Sequence, residues 1–84
     1  MFGILLEIHR KQLGIAKIER TVEFTRLTVS LKDGPMITAT QEWQDWTSAV
    51  YLTHDDVTYD LGQMSDAHLK RLIMTVAEGI PEHA

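Results

Sequence analysis

The feature that most constrains the fold is an alternation of apolar and polar residues through the middle of this 84-residue chain. Apolar residues at every second position are typical of β-strands with one buried face. The first run changes phase part-way, with Val22 and Phe24 in one phase and Leu27, Val29 and Leu31 in the other. A β-bulge near Thr25 and Arg26 would reconcile the two phases. The centre of the chain is therefore predicted to form a small antiparallel sheet.

Turn-forming residues divide this region into two hairpins, which gives about four strands. Asp33 and Gly34 predict a tight turn in the first hairpin. Pro35 is expected to open the return strand at an edge of the sheet, because proline cannot donate to a strand ladder. The inward positions of that strand are Ile37, Ala39 and, as a further candidate, Trp43.

The second hairpin is predicted around the polar segment His54, Asp55 and Asp56. Its apolar alternation consists of Val50 and Leu52 before the turn and Val57, Tyr59 and Leu61 after it. Residues 41–48, which contain both tryptophans, are compatible with a strand end, a loop or one helical turn.

A helix is predicted on the N-terminal side of the sheet, from Phe2 to Arg20. This stretch contains no proline, and its isoleucines recur near the helical period, at Ile4, Ile8, Ile15 and Ile18. Glu7 precedes Arg10 and Lys11 by three and four residues, a spacing that suits ion pairs on the surface of a helix.

A second helix is predicted on the C-terminal side. Ser65 is a favourable N-cap, Asp66 suits the positive end of the helix dipole, and Met64 and Leu69 occupy the positions of a hydrophobic staple. The apolar stripe comprises Leu69, Leu72, Ile73, Val76 and Ile80, and the stop signals are Gly79 and Pro81.

These elements predict a single α+β domain over residues 1–84, with an N-terminal helix, an antiparallel sheet of about four strands and a capped C-terminal helix. A hydrophobic content of 44 % with 24 % charged residues is in the globular range. The chain has no cysteine, which excludes disulfides and cysteine zinc sites. Glu7 and His9 interrupt the apolar start, so we expect neither a signal peptide nor a membrane span.

Charge is distributed unevenly along the chain. No lysine or arginine lies between Lys32 and Lys70, whereas seven acidic residues do. The first 32 residues carry six basic and three acidic residues, and the whole chain has a net charge of −4. This balance argues against general binding to nucleic acid, which needs a clustered cationic surface. It favours a partner protein with a basic surface.

Two of the seven acids have structural explanations, because Asp33 suits its turn and Asp66 its helix. The other five, together with the two tryptophans, form the predicted partner-binding set, since aromatic residues beside charge are typical of protein-binding surfaces. This set is Glu42, Trp43, Asp45, Trp46, Asp55, Asp56 and Asp60.

No catalytic motif accompanies these residues. His54, Asp55 and Asp56 are potential metal ligands, but adjacent residues on a turn seldom converge on one ion, so a solvated turn is favoured. For His68 a local hydrogen bond at the helix start is favoured over a role as general base. We find no nucleophile elbow and no glycine-rich phosphate loop. The sequence predicts no enzymatic activity, no cofactor and no metal.

The segment from Tyr51 to Ile73 carries a spaced pattern that joins the second hairpin to the C-terminal helix. The residues in the pattern are Tyr51, Thr53, Asp55, Tyr59, Leu61, Met64, Ser65, Asp66, His68 and Leu69. This pattern resembles a segment of small phage and prophage accessory proteins. Asp56 replaces their turn glycine, and Arg71 stands where they often have asparagine. The resemblance implies a phage or prophage origin and a site of action in the bacterial host cytoplasm.

Three hypotheses follow. The first is a stoichiometric inhibitor that binds a basic surface of a host factor, for example the nucleic-acid channel of a CRISPR defence complex. The second is a homo-oligomeric structural or minor virion protein that hides an apolar helix face. That face comprises Phe2, Ile4, Leu5, Leu6, Ile8, Leu13, Ile15 and Ile18. The third, a nucleic-acid-binding regulator, would use Arg10, Lys11, Lys17 and Arg20.

Overall fold

The protein is described here by a computed structural model, which covers residues 1–32 and 34–78. Within these ranges the chain forms one helix, five strands and a second helix in sequence order. The elements are α1 (Phe2–Lys11), β1 (Gly14–Arg20), β2 (Phe24–Leu31), β3 (Met36–Glu42), β4 (Ser48–His54), β5 (Val57–Met64) and α2 (Asp66–Glu78). The predicted α+β class is confirmed, with one strand more than expected.

The five strands form an antiparallel sheet in the order β1-β2-β3-β4-β5, so that each strand pairs with its neighbours in the chain. Directly opposed residues point to the same face. The register therefore places Ala16, Val29 and Ile37 on one face of adjacent strands. That face packs against Ile8 of α1 and Ile73 of α2 in one core cluster. We call the opposite face of the sheet the helix-free face.

Among the residues that the structure describes, eleven buried apolar residues form the core: Ile4, Ile8, Ala16, Leu27, Val29, Leu31, Ile37, Ala39, Val50, Leu69 and Ile73. A polar residue, Ser48, is also fully buried among the described residues, at the start of β4. Its hydroxyl has no hydrogen-bond partner among residues 1–32 and 34–78.

The predicted helix from Phe2 to Arg20 is wrong in its second half. The helix ends at Lys11, Gln12 takes a left-handed conformation with φ of 55°, and the chain returns as strand β1. A Cβ atom at Gly14 would overlap the carbonyl oxygen of Ser30, so the close approach of β1 to β2 requires glycine there. Ile15 is 66 % exposed, as strand alternation dictates beside buried Ala16.

The predicted bulge near Thr25 and Arg26 is also wrong. The chain instead turns between β1 and β2, where the Thr21 hydroxyl accepts hydrogen bonds from the backbone N–H groups of Glu23 and Phe24, each at 3.1 Å. Val22 lies in this turn. It is an exposed turn residue, not an inward strand residue. Phe24 begins β2 and points to the helix-free face, whereas Leu27 points to the core from the same unbroken strand. The change of phase therefore reflects the two faces of β2.

A bulge does occur on the opposite edge of the sheet. Ala49 pairs with Gln63 and Tyr51 with Asp60, so β5 has two residues where β4 has one. Gly62 is one of these two residues of β5, and its φ of 78° lies in the region that favours glycine. The Asp60 carboxylate accepts a hydrogen bond from the Gly62 N–H at 2.9 Å, which holds the bulge from within the strand.

The turn between β2 and β3 differs partly from expectation. Gly34 has a φ of 105°, as a tight turn requires, whereas Asp33 lies outside the described residues. Pro35 precedes β3, and its carbonyl accepts from the Leu31 N–H at 2.9 Å. The predicted edge position of this strand is wrong, because β3 is the central strand. Proline is tolerated there because it stands before the ladder begins.

The inward positions of β3 are confirmed for Ile37 and Ala39, which are 1 % and 0 % exposed. Trp43 is not inward, since it follows the last residue of β3 and is 73 % exposed. Of residues 41–48, Gln41 and Glu42 end β3, residues 43–47 form a loop and Ser48 begins β4. The strand-end and loop alternatives therefore each hold for part of this segment.

The second predicted hairpin is confirmed. His54 pairs with Val57 across a two-residue turn, and Asp55 and Asp56 both have positive φ, at 52° and 64°. Positive φ at both central residues is the property of a type I′ turn, whose twist matches that of the strands. Aspartate adopts this conformation less readily than glycine.

The N-cap of α2 is confirmed by a hydrogen bond from the His68 N–H to the Ser65 hydroxyl at 3.3 Å. Asp66 in the first turn forms an ion pair with the Met1 amino group at 3.1 Å, which joins the starts of the two helices. Leu69 and Ile73 are fully buried. The predicted stop signals Gly79 and Pro81, and Ile80 of the stripe, lie outside the described residues.

The predicted ion pairs on α1 are confirmed, with Glu7 at 2.7 Å from Arg10 and 3.7 Å from Lys11. The hydrogen bond from Arg10 lowers the pKa of the Glu7 carboxyl, because it favours the charged form. The small stabilisation that this pair gives is present above the ordinary pKa of glutamate and is lost as the pH falls through the lowered value. No helix within the described residues is long and apolar enough to cross a membrane.

We expect Ser65→Ala to lower the free energy of unfolding by about 1 kcal/mol, because the N-terminal N–H groups of α2 lose their side-chain acceptor. Ser65→Asp is the matched control, since aspartate supplies an equivalent acceptor and should remain close to wild type. Chemical denaturation followed by circular dichroism measures both. Equal loss in the two variants would contradict a capping role.

We expect Asp56→Gly to raise the free energy of unfolding by roughly 0.5 kcal/mol, because glycine adopts the positive φ of the turn without a steric penalty. Asp56→Ala is the control, since alanine removes the same carboxylate and lacks that freedom. Thermal denaturation compares the two variants. An increase in both would assign the effect to lost charge and not to backbone conformation.

Candidate functional site

The predicted partner-binding residues do not form one surface. Glu42, Trp43, Asp45 and Trp46 lie where β3 passes to β4, whereas Asp55 and Asp56 form the turn at the other end of β4. A strand of seven residues separates these ends, which is about 20 Å. Asp60 lies within β5, where its carboxylate serves the bulge at Gly62.

The loop of residues 43–47, which we call the tryptophan loop, is held by backbone and side-chain hydrogen bonds. The Asp45 N–H donates to the Glu42 carbonyl at 3.0 Å, and Gln44 between them has a φ of 71°, as the third position of a type II turn requires. The Gln41 side-chain amide donates to the Asp45 carbonyl at 2.7 Å. The loop therefore starts from a defined turn.

A second chain segment supports the same loop. The Trp43 N–H donates to the Glu23 carbonyl at 2.8 Å, which ties the tryptophan loop to the turn between β1 and β2. This bond continues the β2–β3 ladder, in which Phe24 pairs with Glu42, by one step beyond the strands. Two turns that are about twenty residues apart in sequence are thus joined at one end of the sheet.

The apolar side chains at this end are exposed. Trp43 is 73 % exposed, and Trp46 and Val22 are each 90 % exposed. Phe24 is half-buried, and the Arg26 guanidinium stacks on its ring at 4.6 Å from the centroid. We define the tryptophan surface as these apolar residues with the two acids of the segment: Val22, Phe24, Glu42, Trp43, Asp45 and Trp46.

Two open clefts flank the joined turns. One has a volume of about 640 Å³, and its walls include Arg20, Thr25 and Gln41. The other has a volume of about 510 Å³ and opens on the helix-free face beside Arg26 and Thr40. Both clefts are lined by Val22, Phe24, Glu42 and Trp43. Side chains of a partner could therefore enter on either side of Trp43.

The charge at this end is mixed. Glu23, Glu42 and Asp45 contribute three carboxylates to the cleft walls, and Arg20 and Arg26 contribute two guanidinium groups. Arg26 is engaged by neighbours, since it donates to the Thr40 hydroxyl at 3.2 Å and lies 3.5 Å from the Glu19 carboxylate. The acidic stretch of the sequence is therefore not a separate acidic surface in the fold.

The sequence did not predict three of the residues that line the clefts at this end of the sheet: Arg20, Val22 and Phe24. The sequence predicts Arg20 at a helix end and places Val22 and Phe24 in one phase of a strand, although Thr21 and Glu23 are polar residues between two alternating runs. Reading residues 14–20 as a strand would have placed Val22 at a hairpin turn. The proximity of this turn to the tryptophan loop still depends on the pairing of β2 with β3.

For the other candidate residues, His54, Asp55 and His68, the polar contacts are with residues close to them in the sequence. His54 lies 3.4 Å from the Asp55 carboxylate in the turn between β4 and β5. Within residues 1–32 and 34–78, no group of three or more histidine or carboxylate side chains is arranged to hold a metal ion. His68 contributes its backbone N–H to the cap of α2.

Comparison of the chain with protein-family models, curated protein sequences and solved structures found no match. The residues of the chain itself offer exposed aromatic rings, carboxylates and two clefts on a supported pair of turns.

We expect Trp43→Ala and Trp46→Ala to leave the free energy of unfolding within about 0.5 kcal/mol of wild type, because both side chains are mainly exposed. Ile37→Ala is the contrasting control, since loss of a buried isoleucine costs about 2 to 5 kcal/mol. Urea denaturation measures all three. A large loss for either tryptophan variant would assign that side chain to folding.

Proposed function

We propose that this protein acts by binding another protein through the tryptophan surface, without catalysis. The observation that carries the proposal is the exposure of Trp43 and Trp46 on a loop whose base is held by hydrogen bonds. Tryptophan is enriched among the residues that dominate binding energy, and truncation of such a residue costs about 2 kcal/mol or more. A loop that is already ordered loses little further entropy on binding.

The chemistry of the surface favours a partner with lysine or arginine side chains. Glu42 and Asp45 flank Trp43 along the chain, and a cation placed over an indole ring is attracted by the ring and by nearby carboxylates. Arg20 and Arg26 provide donors for acidic or carbonyl groups at the margin of such an interface. The expected partner surface is therefore basic at its centre and mixed at its rim.

In its fuller form, the proposal is that the chain is a phage-type accessory protein and a stoichiometric inhibitor of a host factor. It would act in the bacterial cytoplasm, as an anti-CRISPR-like protein that covers a basic surface otherwise used by nucleic acid. Support comes from the resemblance of residues 51–73 to phage accessory proteins and from the carboxylates beside Trp43. Competition for a basic surface requires only complementary charge and contact area.

Direct nucleic-acid binding is less well supported by the fold. Arg10 and Lys11 lie at the end of α1 and form ion pairs with Glu7. Arg20 lies at the other end of β1, beside the ring of Phe2. These bases do not form one continuous cationic stripe of the kind that phosphate binding uses.

The proposal is tested with paired variants at the two ends of the sheet. Tagged wild-type protein, Trp43→Ala/Trp46→Ala, Glu42→Lys/Asp45→Lys and the control Asp55→Lys/Asp56→Lys are used to capture proteins from a bacterial host lysate. We expect one host protein to be captured in equal amounts by wild type and control. Its affinity for the two variants of the tryptophan surface should fall by about tenfold or more.

A plaque assay provides the functional measurement. Host cells that express the wild type or the control should lose immunity to a phage targeted by their defence system, and cells that express Trp43→Ala/Trp46→Ala should keep it. Capture of the same proteins at the same level by all four forms would contradict the proposed surface. Unchanged immunity in cells expressing wild type would contradict inhibition of that defence system.

A further inference from the structure

We propose that two copies of this chain associate through the free edge of β1, which would join their sheets into one sheet of ten strands. An edge strand presents unpaired backbone N–H and C=O groups that a second strand can bind. This inference concerns a different part of the molecule from the tryptophan surface and does not depend on the proposed function.

The two edges of the sheet differ in how well they could accept another strand. β1 pairs with β2 in an unbroken register from Gly14 to Arg20, with no proline and no bulge. On the other edge, β5 is interrupted by the bulge at Gly62. Bulges are among the features that protect edge strands from pairing. The edge formed by β1 has neither a bulge nor a proline. It does carry Lys17, and lysine opposes edge pairing where the partner strand offers no opposite charge.

The backbone groups that face outward can be assigned from the hydrogen bonds at both ends of β1. The Thr21 N–H donates to the Phe24 carbonyl, and the Leu13 carbonyl accepts from the Lys32 N–H. The direction of these groups alternates along a strand, so the odd-numbered residues of β1 bind β2. The even-numbered residues present their N–H and C=O groups to the free edge, and these are Gly14, Ala16, Ile18 and Arg20.

These outward groups are open to a partner strand. Among residues 1–32 and 34–78, no side chain and no backbone group outside the sheet donates to or accepts from the main chain of residues 14–20. An antiparallel partner strand would pair even-numbered residues of one copy with even-numbered residues of the other. A two-fold axis that passes through one residue of β1 gives this pairing.

Charge selects the position of that axis. With the axis at Ile18, Lys17 of each copy lies opposite Glu19 of the other, which gives two cross-strand pairs of opposite charge. An axis at Lys17 would place that lysine against its own symmetry mate. An axis at Ala16 would place Lys17 opposite Ile15.

The same register also allows the outward backbone groups of the two copies to form hydrogen bonds with each other. Ile18 would pair with Ile18 of the second copy, and Ala16 with Arg20, which amounts to about six backbone hydrogen bonds. Lys17 and Glu19 would be in non-hydrogen-bonded pairs, in which opposed side chains come closest. Both are exposed and lie on the helix-free face, so α1 does not separate them.

The test measures molecular mass by light scattering during size-exclusion chromatography over a range of protein concentrations. We expect wild type to have the mass of two chains at high concentration. Lys17→Glu and Glu19→Lys each place like charges opposite one another, which should weaken the dimer roughly tenfold or more. The double variant Lys17→Glu/Glu19→Lys restores opposite charges and should return the dissociation constant to near that of wild type.

Two further variants address the backbone and the choice of edge. Ile18→Pro removes an outward N–H that faces no strand of its own chain, so it should give a folded monomer by circular dichroism. Asp60→Asn removes a charge from β5, keeps a side-chain oxygen that can accept from the Gly62 N–H, and should leave the dimer intact. If Ile18→Pro does not fold, the masses of Lys17→Glu, Glu19→Lys and the double variant are sufficient to test the proposed dimer.

The proposal is overturned if wild type is monomeric at every concentration. A dimer that survives both Glu19→Lys and Lys17→Glu would also overturn it, because association would then use another surface. Failure of this test leaves capture through Trp43 and Trp46 unaffected, since those residues lie outside β1.

Discussion

The structure depends on the burial of one face of the sheet beneath two helices. Fully buried residues from the three inner strands, Leu27, Ile37 and Val50, meet Ile8 of α1 and Ile73 of α2 in a single layer. A shift of one residue in any strand would turn its apolar side chains to solvent, so this layer fixes the register of the sheet. The register in turn determines which turns meet at each end, including the contact between the tryptophan loop and the turn before β2.

The sequence predicted those parts of the fold that depend on local patterns. The N-cap at Ser65 and the turn at Asp55 and Asp56 are encoded within a few residues, and both are present. Over residues 14–20, Ile15 and Ile18 fit the helical period, and only pairing with β2 makes this segment a strand. The tryptophans were identified as candidates, but their neighbours Arg20 and Phe24 reach them through strand pairing. Composition and spacing do not encode that proximity.

The position of the charges follows from the same register. The acids of the central region are divided between two ends of the sheet, and bases from the N-terminal half are brought beside one of the two groups. The residues that could bind a partner thus meet at one end of the sheet because of the strand topology, and they come from separate segments of the sequence. In the proposed dimer, antiparallel pairing of β1 would place the two tryptophan surfaces at opposite ends of the joined sheet. Such an arrangement suits two separate partners, or two distant sites on one assembly.

The order of the strands also bears on how the chain reaches this structure. Every strand pairs only with its neighbours in sequence, and each connection within the sheet is a short turn or loop. Little loop-closure entropy is lost in forming any one hairpin, and chains with such local pairing fold faster than those that must join distant strands. The helices come from the two ends of the chain, so the apolar face of a growing sheet stays open until both have docked. Docking of the two helices is then what protects this apolar face from aggregation.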